Sequence, residues 1–255
     1  NVRFIRVDSD IQLKQHIELA ANTAFNLTTD APLRIYLYQI NAQQFVFQIV
    51  QHHIATDAWS MTLLLDQLMQ AYQDCIEQSQ TLIKPEVNYL DYAHWQNTPQ
   101  VKEQQSRSLD YWRQALAGVP TIQPLALDKD RPATNQHHGD IINVTLDSAL
   151  TERLNTFAQQ QKSSLFMVLL SVYGALVHQL SRSQDMIIGA DIANREHLQT
   201  QDMLGFFVNL LPLRLQPKAT MRFTDFLQQV KQCSLTSFEH QSVPFEQIVE
   251  TVKPE

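Results

Sequence analysis

Two periodicities alternate along this chain, one typical of strands and the other of helices. Aromatic and β-branched residues dominate 45–51, which predicts a strand. The apolar residues that follow at helical spacing are Trp59, Leu63, Leu64, Leu68 and Tyr72. This spacing predicts a helix that begins near Asp57. The stretch 52–60, HHIATDAWS, is therefore expected at a strand-to-helix turn.

The rest of the chain shows the same mixture of patterns. Residues 33–40 predict a strand that forms a hairpin with 45–51, and Ser9 or Asp10 can cap a helix before it. Further strands are predicted at 185–193 and 206–215. Further helices are predicted on both sides of Pro99, at 148–160, at 165–180, at 223–238, and from Pro244 onward. Strands and helices in both halves predict an α/β fold.

Size and charge narrow the class of protein. The 255 residues are 44% hydrophobic with only five glycines, which suits a globular protein of one or two domains. The net charge is −7, and no basic cluster interleaves with aromatic residues, so nucleic acid is not an expected partner. The most apolar stretch, 165–180, is interrupted by Ser171, His178 and Gln179 and is short for a membrane span, which favours a buried core helix.

Cysteine and histidine usage gives no sign of a disulfide framework or a metal site. Cys75 and Cys233 are the only cysteines, and no secretory pattern opens the chain, so a reducing cytoplasm is expected. The pair His137-His138 has no carboxylate or cysteine at ligand spacing, and we expect no metal there.

The pair His52-His53 has the chemistry that proton transfer requires. Imidazole titrates near neutral pH, and one ring nitrogen can accept a proton while a partner holds the other. Asp57 can orient an imidazole or cap the following helix. A purely structural histidine pair next to a helix cap fits the same residues, so both interpretations stay open at this level.

Five stretches, in order, resemble motifs of one family. They are His52-His53 through Asp57-Ala58 (HHxxxDG), Tyr89 to Trp95 (YxDYAxW), Ile188-Gly189 with Ala193-Asn194-Arg195 (IGxxxANR), Gly205 to Arg214 (GFFVNxxxLR), and His240 to Glu246 (HQxVPFE). Through these motifs the chain resembles the condensation domains of nonribosomal peptide synthetases. That family is part of the chloramphenicol acetyltransferase-like superfamily.

The resemblance implies a two-lobe pseudo-dimer in which each lobe is a mixed sheet with helices. Residues 1–120 would form the C-terminal part of the first lobe and carry the HHxxxD motif. Residues 121–137, within a proline-containing stretch that lacks periodicity, would be the inter-lobe linker. Residues 138–255 would form the N-terminal part of the second lobe. Motifs resembling SxAQxRLW, RHExLRTxF and RDxxxNPLF are absent, which implies a fragment without the start of the first lobe and the end of the second.

The implied reaction forms an amide bond between a donor acyl, aminoacyl or peptidyl thioester and an acceptor amine. Upstream and downstream carrier domains would deliver both substrates on phosphopantetheine arms, and an adenylation domain would be adjacent. The domain itself would bind no cofactor.

The resemblance also implies roles for individual residues. His53, the second histidine of the motif, would hydrogen-bond the attacking amine or the tetrahedral intermediate, and His52 would pack and orient the turn. Arg34 is the predicted ion-pair partner of Asp57. Trp59 and Asn209 are candidate tunnel-lining residues.

Ala58 replaces the glycine that the motif usually has. The substitution is harmless if the backbone is already helical there, which we expect because alanine is the best helix former. Three alternative functions share the motif: a catalytically inactive docking domain, a free-standing acyltransferase acting on alcohols, and an epimerization domain. The GFFVN and ANR stretches favour the condensing type over epimerization. A heterocyclization domain is disfavoured because its motif has aspartates in place of both histidines.

Overall fold

The computed structural model describes residues 2–78, 86–120, 125, 127–129, 134, 139 and 141–253. Its strands are β1 (Val2–Arg6), β2 (Leu33–Gln39), β3 (Phe45–Gln51), β4 (Met186–Ile192) and β5 (Asn209–Leu215). Its helices are α1 (Asp10–Asn22), α2 (Ala58–Ile76), α3 (Tyr89–Gln96), α4 (Pro99–Ala115), α5 (Ser148–Gln160), α6 (Leu165–Ser181), α7 (Leu198–Gln201), α8 (Phe223–Glu239) and α9 (Phe245–Val252).

The chain forms two compact units, and their boundaries differ from the predicted lobe boundaries. Unit 1 comprises residues 1–98 and 193–208, and unit 2 comprises residues 99–192 and 209–255. Most of the predicted linker, including His137, falls outside the described residues, as does the adjacent His138. The assignment of lobes and linker therefore stays a prediction.

Unit 1 is built on a three-stranded sheet with the order β1-β2-β3. Strand β1 pairs parallel to β2, and β2 pairs antiparallel to β3, which confirms the predicted hairpin. Helix α1 begins where Ser9 accepts a hydrogen bond from the Gln12 backbone, as the cap pattern predicted. The helix and the sheet share a buried cluster that contains Ala20, Tyr36 and Tyr38.

Unit 2 is built on the antiparallel pair β4 and β5. Its core combines side chains of these strands, such as Leu211, with side chains of α4, α6, α8 and α9, such as Trp112 and Val230. Strand β5 starts at Asn209, later than predicted. The reason lies in the preceding residues of unit 1, where the Phe207 amide donates to a carboxylate.

Helix α6 is the predicted core helix, but it is buried on only one face. Gly174 and Val177 are among its buried residues, whereas a second stripe stays exposed at three- and four-residue spacing: Phe166, Leu169, Tyr173, Leu176 and Leu180. Within the described ranges, no single helix is long and apolar enough to span a bilayer. Helices α5 and α6, which meet at a bend of 101°, pass that length and composition test only as a pair.

Candidate active site at the strand-to-helix turn

The HHIATDAWS stretch of unit 1 is a turn stabilised at its first residue. Strand β3 ends at Gln51, and residues His53–Ala55 form a short 3-10 helix. The Nδ1 atom of His52 accepts a hydrogen bond from the Ile54 amide at 3.1 Å, which caps that helix. The His52 ring also packs edge-on against Phe25 with 5.9 Å between ring centres. His52 is therefore held in place by its own turn.

His53 presents the accessible imidazole of the turn. Its side chain is exposed, and its ring meets the Phe206 ring at 78° with 5.4 Å between centres. An edge-to-face contact of this kind favours one ring orientation without occupying the ring nitrogens. The arrangement allows an approaching amine or hydroxyl to reach the imidazole.

Asp57 caps helix α2 and forms a buried ion pair at the same time. Its Oδ1 accepts from the Ser60 amide at 2.7 Å, and its Oδ2 accepts from the Phe207 amide at 2.9 Å. Nη2 of Arg195 donates to both oxygens, at 3.1 and 3.3 Å. The two side chains are only 5% and 2% exposed. Of the two roles that the sequence allowed for Asp57, the structure shows the cap, and its hydrogen bonds go to partners other than an imidazole.

Arg195 links the beginning of α2 to the 193–208 segment within unit 1. Nη2 also donates to Ser60 Oγ at 2.7 Å, and Nη1 donates to the carbonyls of Thr200 and Met203. The guanidinium lies over the Phe207 ring at 4.0 Å. The 193–208 segment is thus bound to the turn by a fully buried charge.

The predicted pairing of Arg34 with Asp57 is wrong. Arg34 forms an ion pair with Asp30 at 3.0 Å and donates to the carbonyls of Thr23 and Ala24, each at 2.8 Å. Arg34 is at the start of β2, next to the loop that follows α1, so nearby carbonyls and a carboxylate satisfy its guanidinium. The true partner of Asp57 is 138 residues away in the sequence. The ANR motif already contained Arg195, but no local pattern connected it to Asp57.

The charge on Asp57 is stabilised despite its burial. Burial raises the pKa of this carboxyl and is the largest single effect. Hydrogen bonds from the amides of Ser60 and Phe207, together with the charge of Arg195, outweigh it and bring the pKa below its ordinary value. The ion pair is therefore present throughout the neutral range.

Residues at the first turn of α2 make further contacts within unit 1. Ser60 Oγ donates to the Gly205 carbonyl at 2.7 Å and accepts from the Gly205 amide at 3.0 Å. Trp59 Nε1 donates to the Gln201 carbonyl at 2.9 Å, while the residue as a whole remains 45% exposed. Ser60 and Gly205 had no predicted individual role. Neither the chemistry of a serine side chain nor its spacing in the sequence indicates that it will be buried and will bridge to the backbone of a distant glycine.

Ala58 and Asn209 have clear structural settings. Ala58 is exposed and is the first residue of α2, so its backbone is helical and glycine is not required there. Asn209, in unit 2, donates to the carbonyls of Gln241 and Val243 and accepts from the Phe245 amide. These hydrogen bonds hold the loop before α9, and the tunnel-lining role of Asn209 and Trp59 stays a prediction. No group of three or more His, Cys, Asp or Glu in the described part of the chain could hold a metal ion.

Comparison with known proteins assigns this arrangement to a family. The family model named Condensation domain matches residues 1–255. This chain belongs to the condensation-domain family. The identification of that family from the motifs is confirmed.

The condensation domain is similar to parts of very large proteins. It is 35% identical over 248 residues to the malpinin synthetase of Mortierella alpina, covering 97% of this chain and 3% of that protein. It is 34% identical over 250 residues to tyrocidine synthase 3 of Brevibacillus parabrevis, covering 98% of this chain and 4% of that protein.

A solved structure shows the fold of the condensation domain. A four-domain nonribosomal peptide synthetase, solved with AMP and glycine bound, matches 100% of this chain and 19% of its own, at 26% identity and a TM-score of 0.84. The predicted α/β fold is confirmed.

Proposed function

We propose that this condensation domain forms an amide bond between a donor thioester and an acceptor amine. The amine nitrogen attacks the thioester carbonyl carbon and a tetrahedral intermediate forms. The C–S bond then breaks and the free thiol leaves. The nitrogen loses one proton along this path, and the thiolate gains one. An imidazole beside the reacting atoms can accept and return that proton.

The observation that carries the proposal is an exposed imidazole on an immobilised turn. His53 is exposed, whereas Asp57, four residues later, is buried and joined to Arg195. The Asp57–Arg195 pair and the His52 cap hold both sides of the short helix that bears His53. Placing a reactive group in one geometry supplies much of the rate acceleration when two substrates must be aligned.

The substrates of this reaction are proposed to arrive on partner proteins. The relatives are peptide synthetases, and this chain spans only 3% and 4% of the lengths of the two compared above, so carrier and adenylation domains are expected beside it. Phosphopantetheine arms on an upstream and a downstream carrier would supply the thioester and the amine. The chain itself would contribute residues and no cofactor.

A single-turnover transfer assay tests the proposal. The full protein that carries this chain is mixed with a loaded donor carrier and a loaded acceptor carrier, and the acceptor is followed by intact mass. His53→Ala should slow transfer by about 10²–10⁴-fold, the usual contribution of a positioned acid or base. His94→Ala is the matched control, since His94 is also exposed in unit 1 but belongs to α3.

Each result of the assay has a definite meaning. Equal transfer by His53→Ala and the native protein would leave amide formation standing and refute the role of His53. Absence of transfer by the native protein, across several donors and with both carriers still bound, would refute the proposed activity. A docking domain without catalysis would then be the better description.

A further inference from the structure

Phe206 contacts the His53 ring, and a hydrogen bond from a neighbouring helix holds the Phe206 backbone. The ring of Phe206 meets the His53 imidazole edge to face at 5.4 Å. Phe206 is in the 193–208 segment, which has no strand pairing at this point. Its backbone carbonyl accepts a hydrogen bond from the hydroxyl of Tyr89 at 2.7 Å. The position of Phe206 is therefore fixed from α3.

The half-buried Tyr89 packs closely on its neighbours. Its ring packs at 81° against Phe207, with 5.2 Å between centres, and against Tyr92 at 5.9 Å. A Cβ atom placed on Gly205 would lie only 2.1 Å from Cδ2 of Tyr89, so the ring lies directly on the glycine backbone. Burial raises the pKa of Tyr89, with a smaller contribution from the charge of Asp57, and the hydroxyl keeps its proton. Tyr89 is thus a rigid donor.

We propose that Tyr89 is a positioning residue for His53 that acts through Phe206. The Tyr89 hydroxyl fixes the Phe206 carbonyl, and the Phe206 ring then selects the orientation in which the imidazole faces the substrates. The inference deepens the proposed function and rests on it for the catalytic consequence. The link between Tyr89 and the imidazole is a matter of geometry and can be tested apart from catalysis.

The chain provides a matched control in the neighbouring tyrosine. Tyr92 is in the same helix and the same aromatic cluster, and it is 8% exposed. Its hydroxyl accepts from Nε2 of Gln96 at 2.9 Å, within α3. Tyr92→Phe and Tyr89→Phe therefore each remove one hydroxyl from one cluster. Only Tyr89→Phe releases Phe206.

Nuclear magnetic resonance of the histidine rings tests the link directly. The full protein is labelled with ¹³C at histidine Cε1, and His53→Ala identifies the His53 resonance among those of the other histidines. The ring current of Phe206 acts on that resonance, so Phe206→Leu should displace it. Tyr89→Phe should displace it in the same direction by part of that amount. Tyr92→Phe should leave it unchanged.

The transfer assay supplies the second readout. Tyr89→Phe should lower the maximal single-turnover rate about fivefold, which corresponds to one net hydrogen bond of about 1 kcal/mol. The concentration of either loaded carrier that gives half of the maximal rate should be unchanged. Tyr92→Phe should keep the native rate. Circular dichroism spectra that match the native spectrum would show that each variant is folded.

Two results would overturn the inference. One is a His53 resonance that does not move in folded Tyr89→Phe. The other is an equal displacement or an equal loss of rate in the two tyrosine variants, which would indicate a general packing effect. If Tyr89→Phe fails to fold, Phe206→Leu takes its place, and an unmoved His53 resonance there would equally overturn the link. A displaced resonance in a protein that shows no native transfer would support the link and refute the proposed function.

Discussion

Removing either member of the Asp57–Arg195 pair should destabilise unit 1 severely. The Asp57 carboxylate is 5% exposed in the native chain, and in Arg195→Ala it would lose its ion-pair partner and keep the amides of Ser60 and Phe207 as donors. Breaking a buried ion pair by deleting one partner costs about 3–5 kcal/mol. Whole domains are stable by only about 5–15 kcal/mol, so much of the margin would be lost.

A double-mutant cycle measures the pair separately from its surroundings. Asp57→Ala, Arg195→Ala and the double variant are unfolded in urea, and tryptophan fluorescence and circular dichroism are followed together to detect any transition that is not two-state. The loss of unfolding free energy in the double variant should be about 1–3 kcal/mol smaller than the sum of the losses in the two single variants, because the double variant leaves no unpaired charge.

Arg34→Ala is the control for this cycle. The ion-pair partner of Arg34, Asp30, is 38% exposed. The hydrogen bonds from Arg34 to two loop carbonyls are worth about 1 kcal/mol each. The expected cost is therefore smaller than that of Arg195→Ala. The role assigned to the buried pair would be refuted if the losses of unfolding free energy in the two single variants added up to the loss in the double variant. It would also be refuted if Arg34→Ala and Arg195→Ala lost the same unfolding free energy.

The same pair makes the stability of the folded chain depend on pH in the acidic range. The pKa of Asp57 is lower in the folded chain than the unfolded value of about 3.9. Its stabilising contribution is thus fully present above that value and is lost as pH falls through the folded pKa. Acid unfolding of Asp57→Ala should accordingly show a weaker dependence on pH in this range than the native chain does.

Two further substitutions test the local geometry. Gly205→Ala would place a methyl group 2.1 Å from the Tyr89 ring. Overpacking of this kind should lower the free energy of unfolding, measured in urea, by at least about 1–3 kcal/mol. A variant with native stability would show that the ring can move away. Ala58→Gly restores the usual motif residue at an exposed helical position. It should leave the transfer rate unchanged and reduce the free energy of unfolding by at most about 1 kcal/mol. A higher transfer rate would mean that the Ala58 methyl group obstructs the site.

Local patterns predicted the elements around the site well. The β2–β3 hairpin follows from alternating apolar residues and a polar connection, and the start of α2 follows from Asp57 and the helical spacing after it. These features depend on residues close together in the chain, where pleat, helical period and cap chemistry act directly. The Ala58 substitution could be interpreted for the same reason.

Contacts between distant residues were not predictable in this way. Arg34 was the plausible partner for Asp57 in its own part of the chain, but it is satisfied by Asp30 and two carbonyls. The GFFVN motif was predicted to continue as a strand from Phe206, whereas Phe207 leaves the ladder and donates to Asp57. In both cases a buried charge required partners that only the folded chain brings together.

The sequence by itself determined the family, the α/β class and the turn that bears His53, and it allowed the cap as one of two roles for Asp57. The turn and the cap depend on residue types at short spacing, where local geometry permits few alternatives, and the family follows from the order of five short motifs. The tertiary structure alone decided that Arg195 neutralises Asp57, that Tyr89 holds Phe206 against His53, and that Asn209 secures the loop before α9. Burial is the physical reason, because a polar group removed from water must find its partner within reach in space, whatever the separation along the chain.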